Sequence, residues 1–118
     1  MTHFQNAMTK TLSVNAALSA LPTLEGHDVQ INGILHFGFE DVALYHYPKR
    51  ERNDGYRSSI WLDVGNGSPG FNREICSRLD GKRVTVQGSL HGPDLGFDGC
   101  GHMSLWPAVL LARTLERT

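Results

Sequence analysis

The chain has 118 residues, with 11 Lys+Arg against 12 Asp+Glu for a formal charge of −1. That length fits one domain with a workable core and leaves no room for a second. The near-neutral balance supplies no global positive field to draw in a phosphate backbone, and two cysteines are too few for a disulfide framework.

The N-terminal stretch MTHFQNAMTKTLSVNAALSALPTLEG is interrupted by Asn6, Thr9, Lys10, Thr11, Ser13 and Asn15. It therefore lacks the basic-then-apolar order of a secretory signal. No stretch approaches the roughly 20 apolar residues that span a bilayer, and Cys76 and Cys100 read as reduced thiols. A soluble, cytoplasmic protein is expected, with 1–12 a flexible leader and 13–118 the folded domain.

Helical character begins at LSVNAALSAL. Ser13 is placed to cap it, and Val14, Ala17, Leu18 and Leu21 recur at helix spacing. LEGHDVQINGILH (24–36) follows and reappears as LDGKRVTVQGSLH (79–91), with six of 13 positions identical. In each copy a Leu-acid-Gly turn leads into alternation of period two: Val29, Ile31, Gly33 and Leu35 in the first, Val84, Val86, Gly88 and Leu90 in the second. Both copies predict half-buried strands. The turn glycines suit the positive φ that ends a helix, and Gly33 and Gly88 suit a bulge or a strongly coiled strand.

Between the copies, VALYHY (42–47) and SSIWLDV (58–64) predict two strands joined by the polar loop PKRERNDGYR. SPGFNREICSRL predicts a second helix, with Ser68 as cap, Pro69 at its first position and Phe71, Ile75 and Leu79 in one stripe. A last strand runs from about Leu105 to Leu115, with Pro107 confined to its edge, start or a bulge. The chain is thus mainly β with two helices, in the order α-β-β-β-α-β-β.

Leaving the first helix aside, three strands, a helix and two strands match a five-stranded oligonucleotide/oligosaccharide-binding barrel, the OB-fold. The wording LDGKRVTVQGSL, with its partner LEGHDVQINGIL, resembles the first and fourth strands of small bacterial OB-fold proteins. The resemblance implies that the two copies pair antiparallel in one closed sheet. The stretch LHFGFEDVALY…IWLDV followed by GHMSLWP is similar to uncharacterised small bacterial proteins, some of them immunity-like partners of toxins.

Chemistry-bearing residues are dispersed. His91, Cys100 and His102 form the tightest metal-type cluster, with His36 or His46 as fourth ligands. Zinc patterns of real specificity, however, need two closely spaced ligand pairs. With the copies antiparallel, His36 and His91 would end about 20 Å apart at about 3.3 Å per residue, so solvated loop histidines are the ordinary expectation. Glu40, Asp41, Asp54, Asp63, Asp94 and Asp98 are scattered over loops, with no nucleophile elbow or phosphate loop. Loop 92–101 is glycine-rich but carries no Lys or Arg and precedes a strand. Cys100 would need a positioned base to be reactive. No catalytic residue, metal or cofactor is assigned.

The aromatic residues give the strongest candidate surface. If Ile60, Leu62 and Val64 face the core, Ser59, Trp61 and Asp63 face outward, and Tyr45 and Tyr47 lie out of phase with Val42 and Leu44. Two arrangements are open: an exposed Tyr45-Tyr47-Trp61 face that stacks on a ligand, or a satellite core beneath the 48–57 loop. Lys49, Arg50, Arg52 and Arg57 give that loop a local positive excess. Met103, Leu105 and Trp106 are expected to plug one barrel end. The leading functional expectation is a non-enzymatic binding module for a protein partner, in an immunity-like or accessory role. Tyr45, Tyr47 and Trp61 would be anchors, with Arg50, Arg52 and Arg57 steering and loops 38–41 and 91–102 flanking. The alternative is single-stranded nucleic-acid binding on the same face, and third comes a small-molecule or metal-assisted enzyme.

Overall fold

A computed structural model describes residues 10–38, 40–64 and 72–118. Six strands form one sheet: β1 (Thr11–Ser13), β2 (Asp28–Gly38), β3 (Asp41–Tyr45), β4 (Ser59–Asp63), β5 (Arg83–His91) and β6 (Val109–Arg117). Their order is β1-β2-β3-β4-β6-β5, and β2 also pairs with β5, so that five strands return on themselves in a ring. The pairs β2–β3, β3–β4, β2–β5 and β5–β6 are antiparallel, whereas β4–β6 is parallel. Among the described residues, three α-helices accompany the sheet: α1 (Val14–Ser19), α2 (Leu21–Leu24) and α3 (Arg73–Leu79). None among the described residues is long and apolar enough to cross a membrane.

Two expectations about element number change. The five strands of the sequence reading become six, because Thr11 and Leu12, assigned to a flexible leader, pair in parallel with Gln30 and Ile31 as part of β1. This short strand hydrogen-bonds the half of β2 that β3 leaves uncovered, which satisfies backbone groups that would otherwise need water. The single first helix is divided. Ser13 does cap α1 by accepting from the Ala16 N–H, but Pro22 has no N–H to continue the ladder and Ala20 closes α1 instead.

The second helix starts later than its predicted cap. Asn72 accepts from the Ile75 N–H at 2.8 Å and caps α3, while Ser68, Pro69 and Phe71 lie outside the described residues. Cys76, rather than Ile75 or Leu79, is its most deeply buried side chain.

Inside the ring, Ile31, Leu35, Leu44, Ile60, Leu62, Val84, Val86, Leu90 and Leu110 form one buried cluster with Val14 and Ala17 of α1. Alternate residues of each strand supply it, as a pleated strand with one face in the core must.

The sequence echo is an approximate local two-fold. Ile31 pairs with Val86, its own counterpart in the second copy, and about this pair Gly33 faces Val84 while Gly88 faces Val29. The turns obey the same relation. The N–H of Gly26 donates to the Leu90 carbonyl at 2.7 Å, and that of Gly81 donates to Leu35 at 2.7 Å. Both turn glycines have positive φ, 77° and 79°. The acid of each turn reaches the strand end of the other copy: Glu25 accepts from the Gly92 N–H at 2.7 Å, and Asp80 from the Phe37 N–H at 2.8 Å. Each cassette thus fastens the exit of its partner.

Asp80→Ala is expected to cost about 1 kcal/mol, the net worth of one such bond, whereas Asp80→Glu, which copies the other cassette, should cost less. Urea unfolding of the two variants compares them.

The glycines in the copies are not equivalent. β6 carries a bulge opposite Gly88, where the register jumps from Gln87↔Thr114 to Gly88↔Ala112. The extra residue is Arg113, which is paired with Asp28. A bulge re-aims a side chain in this way, and Arg113 holds the Asp28 carboxyl below its usual range, chiefly by that hydrogen bond.

Candidate functional site

The outer face of β3 and β4 is built from the residues that alternate with the core. Ala43 pairs with Trp61 and Tyr45 with Ser59, so these side chains share one side. Trp106 covers them. It is fixed by a two-way backbone exchange with Cys100 at 2.7 and 3.0 Å, and the Trp61 N–H donates to the neighbouring Ala108 carbonyl at 3.0 Å. Trp106 packs with Ala43 and Tyr45 in a second buried cluster, with Trp61 against it. Its ring centroid lies 4.7 Å from Trp61 and 4.6 Å from Tyr56.

Of the two arrangements left open, the aromatic residues take the satellite core, roofed by Trp106 as well as by Arg52 of the 48–57 loop. Tyr45 is only 5% exposed, with the Arg52 guanidinium 3.6 Å above its ring and its hydroxyl donating to Asp41. Desolvation, and then the Asp41 charge, push the tyrosine hydroxyl upward. Arg52, expected to steer a partner, also donates through Nε to the Tyr47 carbonyl at 3.0 Å and locks the loop to the sheet. Its own pKa is lowered, mainly by burial.

Tyr47 is 37% exposed and lies edge-on to His46. Arg50 and Arg57 are exposed on the same loop. Of the six expected contact residues, then, Tyr45 is buried beneath Arg52, Arg52 and Trp61 are half-buried, and Tyr47, Arg50 and Arg57 stay on the surface. Trp106 does not plug an end of the ring. It sits outside, while Met103 and Leu105 project to solvent.

Trp61 has a second role. With Asp63 on β4, and Val109 and Leu111 on β6, it forms part of a groove of about 670 Å³. The loop carrying Asp94, Leu95, Phe97 and Cys100 contributes to it, as do Glu25 and His91. Gly101 lets the loop lie flat on the indole, because a Cβ there would stand 2.5 Å from the Trp61 ring. Leu95 and Phe97 are 101% and 62% exposed, and Leu111 on the adjoining strand is 41% exposed. Large apolar side chains clustered at a concavity mark a binding surface more often than scattered ones do.

Of these residues only Trp61 belonged to the expected contact set, although the loop 91–102 was expected to flank it. Phe97 and Leu95 did carry a signal, two large apolar residues within a run of glycine and aspartate. The contribution of Glu25 follows from the cassette turn and carries no local signal.

The metal-type cluster disperses. The His91 ring shares hydrogen bonds with Glu25 and Ser89, His102 contacts Glu40 at 2.8 Å, and Cys100 is buried. Of the two further candidates, His36 faces Asp41 and His46 accepts from the Asn15 N–H. Among the described residues, no three His, Cys, Asp or Glu side chains gather as a group able to hold a metal ion.

Burial pushes both thiols up, and for Cys100 the charges of Asp94 and Glu25 add to it. A thiol kept neutral by the fold stabilises it fully below the ordinary thiol range, and that contribution is lost as the pH climbs through the raised folded value. Native protein is expected to react slowly with a thiol reagent at pH 7.5 and rapidly once unfolded. The urea midpoint should fall between pH 8 and pH 10, and fall less in a Cys76→Ala variant.

A scan against protein-family models and a search of curated proteins both returned no match.

Proposed function

We propose that the chain is an OB-fold-like barrel that serves as a non-enzymatic binding module for a protein partner, in an immunity-like or accessory role. The ring of three antiparallel strands, a parallel β4–β6 contact and a closing β2–β5 ladder supports the barrel reading, with β1 and the divided first helix as additions to the five-stranded plan. The observation that carries the functional reading is the groove beside Trp61, overhung by the exposed Leu95 and Phe97.

The same groove argues against chemistry, since His91 is engaged by Glu25 and Ser89 and the Cys100 thiol is held neutral. It also argues against single-stranded nucleic acid. Among the described residues, no Lys or Arg lines it, whereas strand-binding grooves need cations to neutralise phosphates.

The test places a photo-crosslinking residue at position 95 or 97, and at 116 as a control, in the native cell. The expected result is a discrete protein adduct from 95 and 97 only. Absence of such an adduct, or salt-sensitive capture of a single-stranded oligonucleotide with Trp quenching, overturns the reading.

A further inference from the structure

We infer that the occupant of this groove is a short segment of a partner protein that carries lysine or arginine beside an aromatic or long aliphatic residue. The inference rests on the binding-module reading and adds the partner's chemistry to it. Its first support is charge. Glu25, Asp63 and Asp94 contribute to the lining, and the chain from Val84 to Ala112 contains no Lys or Arg at all. The Lys and Arg residues lie elsewhere in the sequence, at Lys10 ahead of β1, on the 48–57 loop, from α3 to the start of β5, and in the second half of β6.

Glu25, Asp94 and Cys100 share the lining of the groove, and the charges of Asp94 and Glu25 add to burial in pushing the Cys100 thiol up. In an open site, such a field favours a cationic ligand and repels an acidic one, which sets specificity and encounter rate more than affinity. An anionic membrane surface or a nucleic acid is disfavoured for the same reason.

The second support is the apolar surface beside the charge. Phe97, Leu95 and Leu111 stand exposed next to Trp61. A purely ionic ligand would leave that surface wet, whereas an aromatic or aliphatic side chain buries against it. The volume, about 670 Å³, falls in the range of roughly 300–1,000 Å³ typical of ligand clefts. It accommodates a few side chains rather than a broad flat interface. An arginine or lysine can lay its stem on the aromatic wall and keep its head near Asp94, so that both parts of the lining are used by one residue type.

The test is selection of phage-displayed random 12-residue peptides on the intact chain, with parallel selections on Asp94→Lys, Phe97→Ser and a Glu116→Lys control. These positions are exposed, so the variants are expected to fold. The expected result is enrichment of peptides that pair Lys or Arg with Phe, Trp or Leu. Their binding should fall at least tenfold on Asp94→Lys and on Phe97→Ser and stay unchanged on Glu116→Lys. Enrichment of acidic or uncharged peptides overturns the inference, as does enrichment indifferent to Asp94→Lys, or none at all. If cross-linking at 95 and 97 captures a partner while the peptides are not basic, the charge inference falls and the binding module stands. If neither gives a result, both fall.

Discussion

Gly88→Ala is expected to destabilise the fold by about 3 kcal/mol, well beyond the effect of the matching change at Gly33, because the added methyl would meet fixed backbone. A Cβ at Gly88 would stand 2.2 Å from the Leu111 carbonyl oxygen and 3.0 Å from the Ala112 Cα, whereas at Gly33 its closest neighbour is a Val14 methyl at 2.9 Å. A side-chain methyl can yield by a small rotation. A carbonyl in a bulged ladder cannot move without breaking the β5–β6 register that the bulge defines. Gly33→Ala is accordingly expected to cost about 1–2 kcal/mol. Urea unfolding of both variants gives the difference. Equal losses would mean that the bulge at Gln87/Gly88 is not what makes the second glycine necessary.

Trp106 carries the other large effect. It is 1% exposed and packs between Trp61 and Tyr56, so Trp106→Ala is expected to lose about 3–5 kcal/mol through the cavity it leaves. Trp106→Phe should lose far less. The indole Nε1 is buried and has no hydrogen-bond partner among the described residues, and an orphaned donor costs about 1–3 kcal/mol. Removing that donor offsets part of the lost contact area. A Phe variant as damaged as the Ala variant would show that the indole N–H is satisfied in solution. Because Trp61 borders both Trp106 and the groove, Trp106→Ala is also expected to weaken the proposed peptide binding, even though Trp106 itself is not among the groove's lining residues.

The strands were legible because their signal is local and periodic. Val29, Ile31 and Leu35, with Val84, Val86 and Leu90, alternate plainly, and the ladder pairs the two runs antiparallel. The phase of β4 was not legible, because alternation alone fits either face; Ile60 and Leu62 lie in the core and Trp61 outside it. What covers the outer face was not legible either. That depends on where the 92–108 segment returns, and a glycine-rich loop has no periodicity to reveal it. Trp106 lies 45 positions beyond Trp61 in the chain, and only their pairing with Cys100 and Ala108 brings them together. Arg52 was read as a free cation for the same reason, since a single sequence does not show a ring waiting beneath it. β1 was missed because three residues give no pattern, and the Asn72 cap because Ser68-Pro69 offers the same chemistry a turn earlier.

The two-fold arrangement of the cassettes also bears on how the chain assembles. The ladder that closes the ring joins Asp28–Ile34 to Arg83–Ser89, partners 49 to 61 residues apart in sequence, so it carries a high entropy of loop closure and belongs among the slower contacts to form. Until it does, β2 and β5 each present an unpaired edge rich in valine, isoleucine and leucine, the kind of surface on which chains cross-pair. Since the two edges are near copies, each is almost as good a template for its own kind as for its proper mate. Refolding yield should therefore drop with protein concentration, because the bonds that Glu25 and Asp80 accept come from backbone N–H groups at matching places in both copies and do not discriminate against the self-pair.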